Sequence, residues 1–229
     1  MKLFCFITLY LSLNSLSLRA EVTHIKDGKW GLEAFVFRIP KEENRGFFIL
    51  DVPLKKKGDN ILSYWKEKHH HLMINGGYFE QNFTPVGLCK IKGEYINKVK
   101  AKKLSGFVAI NERGNLSLLT KKDKLKHYPT ILQAGPYVID PGGEIGIKTP
   151  SGYKAKRTLI GQNRDGSLVI IVCKEIRLFE LAQAIKKHLP QLERLLNLDG
   201  GPSTALKSAK HEVLNPWPVR NYIVKKSSK

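Results

Sequence analysis

The sequence predicts an α+β fold: one domain of mainly antiparallel or mixed β-sheets, with one long helix and one or two short ones. Three observations lead there. Short apolar runs rich in Val, Ile, Phe and Leu recur along the chain, separated by turns that contain Gly, Asn or Asp. Only one segment carries a sustained helical stripe. Strands and helices do not alternate in the βαβ order of a parallel sheet.

Residues 1–20 stand apart from the rest. Lys2 precedes the apolar run 3–11, and Leu18-Arg19-Ala20 ends on a small residue, the layout of a secretory signal peptide. The run is short for a membrane span, and no later segment is long enough to cross a bilayer. The expectation is an exported domain over 21–229, periplasmic or secreted. Residues 30–39 and 46–52 read as strands around a charged turn at Glu42-Glu43-Asn44. Asp59 or Asn60 is placed to cap a short helix over 61–68. His69-His70-His71 follows. Neighbouring side chains on an extended segment point to opposite faces, so the three do not share one ion.

Residues 72–74 form an apolar strand that runs into Asn75-Gly76-Gly77-Tyr78-Phe79. The segment 85–91 reads as a strand ending in a turn at Lys92-Gly93-Glu94. Residues 107–111 and 116–120 flank Glu112-Arg113-Gly114-Asn115, a hairpin signal. Residues 131–140 and 144–148 make a second hairpin around Pro141-Gly142-Gly143. Residues 159–162 and 167–173 make a third around Asn163-Arg164-Asp165-Gly166. Leu178, Leu181, Ala182, Ile185, Leu189 and Leu192 then fall on one stripe of the long helix, which Pro190 breaks or restarts. The apolar run 195–198 follows and delivers Asp199.

The 229 residues suffice for one sizeable domain. The formal net charge is +19. Loss of residues 1–20 removes Lys2, Arg19 and no acidic residue, which leaves +17. Such a field attracts polyanions. No recognition module accompanies it, so specific nucleic-acid binding is not expected. Anionic cell-envelope polymers are fitting partners for an exported protein, and a lysine-rich solvated surface is the alternative. The small basic runs are 55–57, 98–103, 121–126 and the tail 225–229. If the signal is removed, Cys5 goes with it. Cys89 and Cys173 remain, either paired or as buried free thiols. No CxxC or Cys/His metal spacing occurs, and no metal or cofactor is expected.

Three segments share one design, a short apolar strand ending in Gly-rich polar residues: 74–77, 132–136 and 198–201. A fourth, 156–161, enters a strand with a basic residue, Arg157. Strand ends converging on one cleft would gather the amides of Asn75 and Gln133, the guanidinium of Arg157, the carboxylate of Asp199 and the backbone N–H groups of Gly76, Gly77, Gly135, Gly200 and Gly201. Arg suits bidentate binding of phosphate. Asn75 has the chemistry to orient a sugar hydroxyl or a water. A carboxylate at the end of a buried strand is costly unless it is bonded or used. An ordinary Asp-Gly turn is the alternative reading of 199–200.

The order and wording of these pieces resemble the phosphodiester glycosidase family, in particular its small bacterial exported branch. The resemblance rests on 75–79 with Pro85-Val86-Gly87-Leu88, on Gln133-Ala134-Gly135-Pro136, on Arg157-Thr158 with Gly161, on 179–182, on 198–206 and on the closing 219–224. It implies that Asn75, Arg157 and Asp199 occupy the family's polar cleft positions. Gly76, Gly77, Gly200 and Gly201 would shape its walls, with Ser203 or Thr204 nearby. It also implies that Glu180 ties the long helix to its surroundings. Gly200-Gly201-Pro202 departs from the commoner Gly-Gly-Gly or Gly-Gly-Ser wording, and proline removes one N–H donor.

The expected reaction is hydrolysis of a glycosyl bond, to phosphate, in an envelope or extracellular glycan. Most glycosidases use two carboxylates, one of which protonates the leaving group. A phosphate monoester, with a second pKa of roughly 6, needs little protonation to depart. Arg157 would stabilise its charge. Asp199 would act at the anomeric side as nucleophile, base or stabiliser of positive charge, or would instead hold a divalent ion. Glu175, Asp140 and Asp165 are the candidates for a second carboxylate. Two alternatives stand beside this reading: a non-catalytic polyanion-binding envelope protein, and an ordinary glycoside hydrolase with two carboxylates.

Overall fold

The computed structural model describes residues 21–53, 59–150 and 152–227. The signal expected over 1–20, the lysine run 55–57 and the last two residues of the basic tail lie outside the described residues. In chain order the strands are β1 (Glu21–Asp27), β2 (Leu32–Ile39), β3 (Phe47–Asp51), β4 (His70–Asn75), β5 (Cys89–Ile91), β6 (Glu94–Asn97), β7 (Gly106–Ile110), β8 (Leu116–Thr120) and β9 (Thr130–Ala134). They continue with β10 (Tyr137–Asp140), β11 (Glu144–Ile145), β12 (Ala155–Asn163), β13 (Leu168–Ile176), β14 (Leu192–Asn197), β15 (Leu206–Ser208), β16 (Glu212–Val213) and β17 (Asn221–Lys226). The α-helices are α1 (Ile61–Tyr64) and α2 (Leu178–His188).

The strands form three sheets, and the strand pairings described are antiparallel. The largest runs β1-β2-β13-β12-β14-β10-β11. Two five-stranded sheets, β16-β15-β4-β17-β3 and β6-β5-β9-β7-β8, pack together against one of its faces. The core between them is apolar and dense, with Phe37, Ile74, Val108, Leu132, Ile160 and Leu196 all nearly inaccessible. The opposite face of the large sheet is covered by α2, whose Leu181, Ala182 and Ile185 bury against Leu159, Ile171 and Leu195. Alternation along a strand explains how one sheet serves two cores. Leu159 and Leu195 point toward α2, while Ile160 and Leu196 point between the sheets.

Several boundaries differ from those expected. The short helix ends at Tyr64 instead of 68, although Asn60 caps it through Leu62 N. The long helix stops at His188. Asp27 accepts from Lys187 Nζ at 2.8 Å and meets His188 Nε2 at 2.7 Å, tying the helix end to the β1–β2 hairpin. β1 is not expected from the sequence, because its exposed edge position leaves it a weak apolar pattern. The run 131–140 is not one strand. It breaks at Gly135-Pro136, so that β9 joins one small sheet and β10 the large one. Positive φ at Gly135, where a Cβ would lie 2.6 Å from Ser105 N, requires glycine at that crossing. Among the described residues no helix is long and apolar enough to cross a membrane.

Candidate active site

The crossing at Gly135-Pro136, the end of β14 and the start of β12 meet beside the first residue of α2. They enclose a cleft of about 230 Å³ lined by Tyr78, Tyr153, Arg157, Leu178, Asn197 and Asp199, together with Pro136, Gly152 and Gly200. The strand period explains this grouping. Arg157 shares the helix-facing side of β12 with Leu159, and Asn197 shares that of β14 with Leu195. Asp199 continues the same alternation past the strand end.

Arg157 is 8 % exposed. Its Nε donates to Ile176 O at 3.2 Å and its Nη2 to Tyr153 O at 2.8 Å, while its guanidinium lies over the Tyr153 ring. These bonds fix the fork and leave further N–H donors for a ligand. Asp199 Oδ1 accepts from Gly200 N at 2.8 Å. Burial pushes its carboxyl up to about 6, opposed by hydrogen bonds from the Ser203 hydroxyl and Gly200 N–H. Tyr78 stands across the cleft. Its hydroxyl lies 2.9 Å from Gly135 O and 2.8 Å from Leu198 O, and it accepts from Asn197 Nδ2 at 2.5 Å. Burial, with the Asp199 charge adding to it, keeps that phenol protonated. Among the described lining residues Asp199 is the one carboxylate.

The pattern described as phosphodiester glycosidase matches residues 69–225 of this sequence. The chain belongs to that family. As a phosphodiester glycosidase relative it is a hydrolase of glycosidic bonds. No curated protein matches it significantly. Among solved structures it is similar to the catalytic domain of zebrafish N-acetylglucosamine-1-phosphodiester alpha-N-acetylglucosaminidase, auto-inhibited by its pro-peptide. That match has 14% identity and a TM-score of 0.62, and covers 91% of this chain and 82% of that one. A hypothetical protein from Synechocystis superposes with a TM-score of 0.66 at 14% identity, over 89% of this chain and 61% of that chain. A protein of Burkholderia pseudomallei gives 0.61 at 10% identity, over 84% of this chain and 73% of that chain. These likenesses are of fold.

The positions selected from sequence divide into those at the cleft and those behind it. Arg157, Asp199 and Gly200 line it, and the Ser203 hydroxyl lies close enough to favour the charged form of the carboxylate. Asn75 does not reach it. Asn75 is fully buried, and its Oδ1 accepts from Thr158 Oγ1 at 2.7 Å and from Ala205 N at 3.0 Å. Its Nδ2 donates to Asp199 O at 2.8 Å. The amide therefore fastens β4, β12 and the Asp199 loop together, and is not turned toward a sugar or a water. Gly76 and Gly77 spend their N–H groups on Asn221 O and Oδ1, both at 2.9 Å. A Cβ on Gly76 would fall 1.9 Å from Asn221 Oδ1, so close packing accounts for that glycine.

Gln133 is also turned away. Its Oε1 accepts from Leu88 N and Ala101 N, and its Nε2 donates to Ala101 O and Leu104 O. Gly135 accepts the Tyr78 hydroxyl at its carbonyl and borders the cleft from behind. Gly201 opens the turn Gly201–Ser203 with φ +59. Thr204 is buried and faces a different groove, beside Val172 and Val213. Glu180 pairs with Arg177 at 3.2 Å within the first turn of α2. Asp140, Asp165 and Glu175 do not line the cleft, and Asp165 pairs with Arg38. Sequence reasoning misses Tyr78, Asn197 and Tyr153 as site residues. Tyr78 sits inside the motif 75–79 and Asn197 inside the apolar run 195–198 that delivers Asp199, and a polar residue within that run is the signal that could have found it.

Proposed function

We propose that the protein is an exported phosphodiester glycosidase that cleaves the bond between a sugar's anomeric carbon and the oxygen of a phosphodiester, in an envelope or extracellular glycan. The supporting observation is the pairing of Arg157 with Asp199 in one cleft. A guanidinium fixed by two carbonyls offers its remaining donors to phosphate oxygens. The carboxylate beside it acts on the anomeric side. Water supplies the oxygen that bonds to the anomeric carbon. The C–O bond breaks, the phosphate leaves as a monoester carrying its electron pair, and the proton lost by the attacking water passes to solvent. A leaving group of this acidity does not need a second carboxylate as proton donor, in keeping with a lining whose described acid is Asp199 alone. Asn75 is a positioning residue that holds the Asp199 carbonyl. Export is supported by the pattern of residues 1–20 and would appear as a mature chain beginning after Ala20.

The test is a panel of glycosyl phosphodiesters with wild type and Asp199→Asn in ¹⁸O-labelled water. The label is expected in the sugar, with Asp199→Asn folded and slowed at least about a hundredfold. Label in the phosphate, or equal rates for the two proteins, would overturn the assignment.

A further inference from the structure

Two lysine runs, one entering and one leaving the β7–β8 hairpin, meet at the end of the fold that carries the cleft. Register across β8, β7 and β9 places Thr120, Gly106 and Ala134 in one row. Three segments leave that row at the same end of the sheet. Residues 98–105 enter β7 there, residues 121–126 leave β8, and Gly135-Pro136 leaves β9 for the cleft wall. Lys121 Nζ donates to Lys102 O at 2.8 Å, so the first two segments touch. The third adjoins the first, because Gly135 packs on the backbone of Leu104 and Ser105, and Ser105 Oγ accepts from Tyr137 N at 2.8 Å. Lys103 is two residues from Ser105, about 7 Å of extended chain.

The two runs hold eight lysines and one aspartate, and all eight lysines are exposed. The aspartate, Asp123, accepts from Thr120 N and Oγ1. Among the described residues no ion pair neutralises any of these lysines. The first run is held in place. Buried Gln133 binds both backbone groups of Ala101 and the carbonyl of Leu104, so the loop is fastened to the sheet at two points. Eight cations with almost no counter-charge repel one another, which makes the patch costly without an anionic partner.

We infer that this lysine surface is an extended subsite for the non-reacting part of the substrate, and that the substrate is a linear polymer of phosphodiester-linked units. One phosphate would sit on Arg157 for cleavage while the following phosphates run along 98–103 and 121–126. The inference rests on the glycosyl-phosphodiesterase reading of the cleft and deepens it. A small sugar phosphodiester fills a 230 Å³ cleft and has no use for the patch. The polymer's further charges do.

The experiment uses the quadruple variant Lys100→Gln/Lys102→Gln/Lys121→Gln/Lys122→Gln. In the inactive Asp199→Asn background, binding of poly(glycerol phosphate) is measured against salt. The quadruple variant is expected to bind at least roughly tenfold more weakly at low salt. Its log–log salt slope should be shallower by roughly 0.7 for each lysine that no longer meets a phosphate. In the active background its kcat/KM on a glycosyl methyl phosphodiester is expected to stay unchanged. Polymer binding that ignores the four lysines would overturn the inference. So would double-stranded DNA that binds equally tightly through the same lysines, since the patch would then be a general polyanion surface. The binding arm needs no turnover. Failure of the wild type to hydrolyse any glycosyl phosphodiester would sink the reaction and be read separately.

Discussion

Asp199 is held in a wall of apolar and hydrogen-bonded neighbours, and its charged form is the disfavoured one. Burial raises its carboxyl to about 6, while Ser203 and Gly200 pull it back toward the ordinary range. Each of the roles considered for it needs the carboxylate. The kcat/KM is therefore expected to rise about tenfold per pH unit below about 6 and to level off above it. A rate that falls as pH rises through 6 would make Asp199 the proton donor instead. The same shift predicts a stability effect. With the folded value above the unfolded one, stability is full below about pH 4 and is lost as pH rises through 6. Asp199→Asn should thus be more stable than the parent at pH 7, by on the order of 2 kcal/mol, and not at pH 4. Asn75 has the opposite character, since every acceptor site on its oxygen serves the fold. Asn75→Ala strands Ala205 N, Asp199 O and the Thr158 hydroxyl, and should cost about 3 kcal/mol in urea unfolding. An Asn75→Ala protein of parental stability without activity would put the amide in the chemistry. From sequence Asn75 and Asp199 look alike, a polar residue before paired glycines. The neighbours that separate them come from β12 and the 200–205 loop, distant in the chain.

At the scale of elements, α2 matters because its first residue borders the cleft while its last turn is anchored far away. Lys187 and His188 hold Asp27, and their hydrogen bonds keep that carboxyl well below the usual carboxylate range. A depressed folded value stabilises the protein above the ordinary pKa and ceases to do so as pH falls through the folded one. Asp27→Asn should lower the melting temperature at pH 7, with the gap closing under strongly acidic conditions. A constant gap across that range would show that the contact works through packing and not charge. The helix itself was legible, because its stripe of Leu178, Leu181, Ala182 and Ile185 faces a single sheet. The hairpins β7–β8 and β12–β13 were legible too, since a turn signal and two apolar runs are local. The break between β9 and β10 was not. Both halves are buried strands, and only the sheets they join tell them apart. That break makes the cleft, by sending Pro136 across from one sheet to the other.

The whole molecule stacks two cores on the two faces of one large sheet, and this decides the fate of the thiols. Cys89 lies in the core between the sheets and Cys173 in the core under α2, both free. Burial pushes each up to about 12. A thiol reagent at pH 8 should label neither in the native protein and both in denaturant, and reductant should leave the melting temperature unchanged. A reductant-sensitive transition would require a linkage between the two cores. The sequence by itself determined the strand-rich class, the family and the pair Arg157 and Asp199, because hydrophobic period, turn residues and motif order are properties of neighbours along the chain. Only the tertiary structure decided that Asn75, Gln133 and Thr204 are turned away while Tyr78, Asn197 and Tyr153 line the cleft. A strand shows alternate residues to alternate faces, and which face is a cleft depends on register and sheet partners that lie tens of residues away.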